Sequence, residues 1–283
     1  MQDWTGRVCV ITGAGSGIGA GLARYALQRN MRVIAADIDA VGLKTLSDSS
    51  LAQPGELTTR ELDVTDAEAV SGFAEWVYAR HGKVHLLFNN AGVLVDGKCW
   101  ERPLRDWRWI LDVNVMGVIH GIHSFVPRML QQGEPARIVN TASIGGLLGG
   151  GTYMSPYQVS KHAVTVLTES LYKELAQEPG EITTSVLCPA EVATGIWHSD
   201  RLRPADLQVQ LGEAEQQFHD SVASNVAAGP SPDEFATQVF EGIDAGRFWL
   251  IPDTAFMPML EQRTSDIAQQ RNPDVVTQLD FKR

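Results

Sequence analysis

The chain has little cysteine, no excess of positive charge and no long unbroken apolar run, and each shortage excludes something. Its three cysteines, Cys9, Cys99 and Cys188, are an odd number without metal-ligand spacing, so neither a disulfide framework nor a zinc module organises the 283 residues. Cys9 and Cys188 fall in apolar runs and read as small core residues; Cys99 has no assignable role. Lysine and arginine number 23 against 34 aspartates and glutamates, a formal net charge of −11, which argues against nucleic acid or an anionic membrane as the main partner. No apolar run reaches the ~20 residues needed to span a bilayer. The first residues, Met1-Gln2-Asp3-Trp4-Thr5-Gly6-Arg7, lack the basic-then-apolar layout of a signal peptide. A cytoplasmic protein is the expectation. Repeats, linkers and low-complexity blocks are missing too, which favours one domain over residues 1–283.

What is there is an alternation. Hydrophobic residues make 44% of the chain, and short β-branched runs alternate with longer helical patterns through the first 190 or so residues. Strands are expected at Arg7–Thr12, Arg32–Asp37, Leu57–Asp63, Val84–Asn89, Arg137–Ser143 and Ile182–Cys188, with a last one at Phe248–Ile251. Val8-Cys9-Val10-Ile11 and Val33-Ile34-Ala35-Ala36 are continuously apolar, as strands covered on both faces must be. Helical patterns lie near 17–30, 40–50, 66–81, 103–131 and 156–178, with Gly82 and Gly133 where helix ends belong. Strand–helix alternation means right-handed crossovers, so the fold class is α/β: a doubly wound parallel sheet of about seven strands with helices on both faces. After Pro189 the rhythm breaks. A helix is expected around 205–225 and another over 233–245, and the 252–283 extension reads as short helices and coil. The segment 195–230 is either a lid over the active crevice or a surface helix pair with no gating role.

The first strand runs into Gly13-Ala14-Gly15-Ser16-Gly17-Ile18-Gly19-Ala20 and then into a helix. Glycines let a pyrophosphate approach the main chain, and the helix N-terminus offers free N–H groups, so a dinucleotide site is expected on Gly13, Ser16, Gly17, Ile18 and Gly19. The second strand ends at Asp37, 18 residues beyond Gly19. A carboxylate there can accept from both ribose hydroxyls and repels a 2′-phosphate; no Arg or Lys adjoins it, and Arg32 is at the far end of that strand. NAD is favoured over NADP, with an ordinary loop carboxylate as the bland alternative for Asp37.

Further along, Ser155 and Pro156 read as the N-cap and first turn of a helix whose apolar stripe is Val159, Ala163, Val164, Leu167, Leu171 and Leu175. Tyr157 and Lys161, four residues apart, share a face of it. An ammonium about 4 Å from a phenol, at an effective dielectric of about 20, favours the phenolate by about 4 kcal/mol, and burial opposes part of that. Such a pair suits general acid–base chemistry near neutral pH.

Taken in order, Thr12-Gly13-x-x-x-Gly17-x-Gly19, Asp63-Val64, Asn89-Asn90-Ala91-Gly92, Asn114, Ser143 and Tyr157-x-x-x-Lys161 resemble the short-chain dehydrogenase/reductase family over roughly residues 6–195. The resemblance implies that Asp63 and Val64 meet the adenine, that Asn90, Ala91 and Gly92 line the cofactor, and that Pro189, Val192 and Thr194 flank the nicotinamide. It makes Tyr157 the proton-transfer group, Ser143 the partner of the substrate oxygen, Lys161 the residue that tunes the phenol and bonds the nicotinamide ribose, and Asn114 the holder of a water relay. From residues alone, Tyr157 could be a structural tyrosine, Ser143 a cap on local backbone, and Asn114 a mid-helix side chain bonding backbone. The family has Pro-Gly after the sixth strand where this chain has Pro189-Ala190, and alanine tolerates positive φ poorly.

The function implied is hydride transfer between NAD and a small-molecule secondary alcohol or ketone. The alternatives are an NADPH-dependent carbonyl reductase and a non-catalytic NAD-binding regulator. Trp197, Ile196, Leu147 and Leu148 suggest a largely apolar or aromatic substrate, whereas Trp107 and Trp109 read as packing or subunit contacts. The glycine-rich stretch Gly145–Gly151 is expected to border it. No histidine spacing resembles a zinc site, so no metal is expected. The resemblance implies a homodimer or homotetramer pairing the helices at 103–131 and 156–178.

Overall fold

The computed structural model describes residues 3–204 and 211–273. Seven parallel strands form one sheet in the order β3-β2-β1-β4-β5-β6-β7. They are β1 (Val8–Thr12), β2 (Arg32–Asp37), β3 (Glu56–Glu61), β4 (Leu86–Asn89), β5 (Ala136–Thr141), β6 (Ile182–Leu187) and β7 (Trp249–Leu250). The connecting helices are α1 (Gly17–Gln28), α2 (Ala40–Ser49), α3 (Ala67–His81), α4 (Leu104–Leu111), α5 (Gly117–Gln131), α6 (Ser155–Leu175), α7 (Glu213–Ala227), α8 (Pro232–Asp244) and α9 (Met257–Ala268). This is the doubly wound α/β fold that the alternation predicts.

Side-chain alternation along the strands builds two cores. Cys9, Ile11, Val33, Ala35 and Phe88 face α1 and α8. Val8, Val10, Ile34, Ala36 and Leu87 face the opposite way, against α3, α5 and α6. Each large side chain buried there contributes roughly 1.5–3 kcal/mol. Chain order reverses between β1 and β4, and a crevice opens at the carboxyl ends of the strands at that switch point.

The expected boundaries shift for identifiable reasons. β4 starts at Leu86 and not at Val84, because the side chain of Gln132 occupies both the N–H and the carbonyl of Val84, and His85 accepts the N–H of Val8 on its ring. β5 stops at Thr141, two residues early, because Ser143 turns away to open a short 3₁₀ turn, Ile144–Gly146. β3 stops at Glu61, where Asp63 closes a turn on Thr65. The single helix expected over 103–131 is two α-helices joined by a π-helical turn, Asp112–Met116, with Asn114 at its centre. By length and hydropathy alone the Leu104–Gln131 run would qualify as a membrane span. Its inner face is spent instead on the core beneath α3 and the sheet.

α6 is capped by Met154 rather than Ser155, which is its first residue, and Val159 is 49% exposed, outside the buried stripe. The expected helix at 205–225 begins, within the described residues, at Glu213; 205–210 and the tail 274–283 lie outside them. Gly82 and Gly133 adopt the left-handed φ of helix ends. Ala190 does not adopt a positive φ, so the loop after β6 accommodates alanine without strain.

Two glycines test the packing of this fold. A Cβ on Gly21 of α1 would run into the backbone carbonyl of Pro232 at the start of α8, whereas one on Gly72 of α3 meets nothing. Gly21→Ala should lower unfolding free energy by about 1–3 kcal/mol, and Gly72→Ala should raise it by up to about 1 kcal/mol, both read by urea denaturation.

Candidate active site

A cavity of about 420 Å³ occupies the crevice. The residues expected from sequence to hold cofactor or substrate lie on its wall, except Asn114, which sits behind it, and Leu147, which lies in the core.

At one end is the glycine loop. Gly13 and Gly17 hold φ of +67° and +52°, and a Cβ on Gly19 would run into the carbonyl of Gly13. Ser16 caps α1 without a side-chain capping bond, so the first-turn amides of Gly17, Ile18 and Gly19 are not satisfied by a cap. This cradle fits a diphosphate: bare backbone, unspent N–H groups and a helix dipole. The two Asp37 oxygens accept from the backbone N–H of Gly15 and of Asp39, at 2.8 Å each, which fixes the carboxylate at the tip of β2. Each keeps acceptor capacity for a ribose hydroxyl. Asn90 ties β4 to β1, donating to the carbonyls of Thr12 and Gly13, while Thr12 Oγ1 accepts from the N–H groups of Asn90 and Ala91.

The middle of the cavity holds the polar cluster. Ser143 Oγ accepts from Gly145 N–H at 3.1 Å and donates to the Pro189 carbonyl at 3.5 Å, and it lies close enough to the Tyr157 hydroxyl to favour the phenolate, so it is both a local cap and a neighbour of the phenol. Lys161 Nζ donates to the Thr141 carbonyl at 3.0 Å and lies 5.7 Å from the centre of the Tyr157 ring. Asn114, fully buried in its π turn, accepts from Val93 N–H at 2.8 Å and donates to the Val93 carbonyl and to Ser160 Oγ. The Asn114 side chain thus bonds the backbone of a neighbouring segment as well as Ser160. A ladder of amides and hydroxyls runs beneath: Asn89 donates to Asn140, Asn140 to Thr168, and Thr168 to the Val164 carbonyl. It registers α6 on β4 and β5, and nothing in sequence links those positions.

The electrostatics differ from the expectation. Burial raises the Tyr157 phenol above its ordinary value, with the Ser143 hydroxyl working against it, and burial lowers Lys161 to about 8. The ammonium meets a backbone carbonyl rather than the phenolic oxygen, so in this structure desolvation outweighs the attraction that bare helical spacing suggests.

The far end is apolar. Leu148, Met154, Ile196, Trp197 and Phe218 line it, and so does Trp109, which therefore forms part of the pocket wall and not only packing. Leu147 turns away into the core behind β5 and β6. Of the glycine-rich stretch, Gly145 is on the wall and Gly149 to Gly151 lie outside it. The 3₁₀ segment Gly195–Leu202 and α7 cover this end. Charges that the sequence reading does not single out hold the cover down. Asp106, fully buried, meets Arg203 at 3.1 Å and Arg102 at 3.5 Å; Asp96 meets His219 of α7 at 2.8 Å. His219 also stands edge-on to Trp197, and its pKa is raised by the hydrogen bond to Asp96.

Because the folded protein holds Lys161 at about 8 while the unfolded chain holds it near 10.5, the unfolded state binds the extra proton between those values. Stability from this group therefore rises with pH across that window and is lowest below it. Lys161→Met should raise unfolding free energy by roughly 1–2 kcal/mol near neutrality, an advantage that shrinks above about pH 8, as measured by denaturant titration at several pH values.

Comparison with known proteins places this geometry. The family model for short chain dehydrogenases matches residues 7–204. The chain is 33% identical over 283 residues to the CLA biosynthesis dehydrogenase/reductase of Lactiplantibacillus plantarum, covering 97% of this chain and 98% of that protein. It is 34% identical over 224 residues to the cyclohexanol dehydrogenase of Acinetobacter sp. (strain SE19), covering 76% of this chain and 86% of that one. A short chain dehydrogenase/reductase from Burkholderia phymatum, solved in complex with NAD, superposes with a TM-score of 0.94 at 40% identity, over 99% of this chain and 100% of the other. Matched by the family model over residues 7–204 and similar to a relative along nearly its full length, the chain belongs to the short-chain dehydrogenase/reductase family of oxidoreductases.

Proposed function

We propose that this chain is an NAD-dependent dehydrogenase of secondary alcohols, acting on a largely apolar or aromatic carbinol or, in reverse, on its ketone. The observation that carries the reading is the placing of Ser143, Tyr157 and Lys161 together on the wall of one cavity, between the glycine loop and an apolar pocket. A binding module has no use for a phenol held in that position.

The nicotinamide, when bound, supplies the hydride acceptor or donor. The chain orients the alcohol and moves its proton. Tyr157 takes the hydroxyl proton in oxidation and returns it in reduction. Ser143 bonds the substrate oxygen and stabilises charge developing there. Lys161, which keeps ammonium protons beyond the one given to Thr141, favours the phenolate and reaches the nicotinamide ribose. Asn114 acts through position, fixing Val93 and Ser160 beside α6. Asp63 and Val64 serve the adenine side, and Pro189, Val192 and Thr194 the nicotinamide side.

Asp37 supports NAD. It ends β2 with Ile38 exposed beside it, and the basic residue of that strand, Arg32, is at the other end, paired with Glu56 at 3.6 Å. The NAD in the Burkholderia phymatum relative supports the same choice. Exposed apolar residues on α4 and α6, Leu104 at 78% and Val166 at 60%, support a homodimer or homotetramer through those helices.

The deciding assay follows NADH formation across a panel of secondary alcohols, with Tyr157→Phe as control. The variant should lose about 10²–10⁴-fold in kcat while binding NADH as tightly as wild type. Equal binding with no turnover by either protein would make the chain a nucleotide sensor, and faster initial rates with NADPH would make it a carbonyl reductase. Asp37→Ser should bring the NADP rate to within about tenfold of the NAD rate, read as the ratio of kcat/KM for the two cofactors.

A further inference from the structure

We propose that Arg201, on the 3₁₀ segment Gly195–Leu202, is a cofactor-clamping residue that reaches from the cover of the cavity to grip the diphosphate of the dinucleotide at the glycine loop. The inference rests on the NAD reading above and adds a residue to it.

Arg201 belongs to the cover of the cavity, 185 residues away in sequence from the loop it meets, and its guanidinium reaches across the crevice. Nη2 donates to Ser16 Oγ at 3.2 Å, and Nη1 donates to the His198 carbonyl at 3.4 Å. Ser16 immediately precedes the first turn of α1, so the guanidinium stands over the amides that would receive a diphosphate. Arg201 forms no ion pair among the described residues and is solvent-exposed, whereas its neighbour Arg203 is buried against Asp106 and Asp200. A fork of donors is thus held at the glycine loop by two neutral oxygens.

Charge balance around the cavity leads to the same residue. The charged side chains on its described wall are Asp37, Asp63, Glu191, Lys161 and Arg201. Two carboxylates, Asp37 and Asp63, lie at the adenosine end. Lys161 is tied to Thr141 beside Tyr157, at the nicotinamide end. A diphosphate carries about two negative charges, and a helix N-terminus offers the equivalent of about half a positive one. Arg201 is the cation placed to complete the neutralisation, and a guanidinium matches phosphate oxygens in bidentate geometry where an ammonium does not. On binding, the Ser16 hydroxyl and a phosphate oxygen would share the donors that Ser16 now holds alone.

Calorimetric titration of three probes tests this: NADH, ADP-ribose, which keeps the diphosphate but lacks nicotinamide, and adenosine, which lacks phosphate. Arg201→Gln should weaken NADH and ADP-ribose by ~30-fold and leave adenosine within about twofold. The salt dependence of ADP-ribose binding should become shallower, and Arg201→Lys should recover part of the loss as a point charge. Unchanged ADP-ribose affinity in Arg201→Gln would overturn the assignment. So would an equal loss for adenosine, which would mean that the side chain only holds the cover in shape. Failure of the NAD reading shows separately, as wild-type protein that binds NADPH more tightly than NADH; the Arg201 comparison is then made with NADPH and supports or overturns the clamp by the same criteria.

Discussion

A lysine held in a dry cleft is the constraint on which the rest of this structure depends. Burial disfavours the ammonium of Lys161 and the phenolate of Tyr157 alike, and the fold answers with fixed dipoles: the Thr141 carbonyl for the one, the Ser143 hydroxyl for the other. Both partners come from the end of β5, so α6 must lie over that strand in one register. The amide–hydroxyl ladder Asn89–Asn140–Thr168 supplies the register, since Asn140 would lose the Thr168 hydroxyl if the helix slid by a turn. Catalytic geometry and core specificity are the same set of bonds.

The cofactor end follows a different logic. There the side chains withdraw and the backbone is the ligand-binding surface. Glycines at 13, 17 and 19 are required by conformation or by close approach, and Asp37 is pinned by two main-chain amides before any ribose arrives. The switch point between β1 and β4 leaves the helix N-terminus open to the crevice, so the cradle that fits a diphosphate lies there.

The cover over the apolar end is fastened by charge. Asp106 and Asp96, both buried, draw in Arg102, Arg203 and His219 from three separate stretches of chain. Removing one member would strand another in a low-dielectric setting, so the network makes the position of Trp197 and α7 specific more than it makes the protein stable. The apolar wall that results, with Trp109 and Trp197 on it, closes the end of the cavity beyond Ser143 and Tyr157.

Strand positions, fold class and most residues at the cavity wall were legible because each is written locally. Continuous β-branched runs mark covered strands, the glycine spacing marks a loop beneath a helix N-terminus, and Tyr157 with Lys161 needs only one helical turn to be brought together. Other features depend on contacts between distant segments, which spacing does not encode. The late start of β4 beside Gln132, the π turn around Asn114, Trp109 turning into the pocket and Arg201 reaching Ser16 were all decided by tertiary structure. The phenol's balance was decided there too. Helical spacing alone predicts an ammonium that lowers it, but the dielectric around the pair is a property of everything packed against α6, and that exists only once the chain has folded.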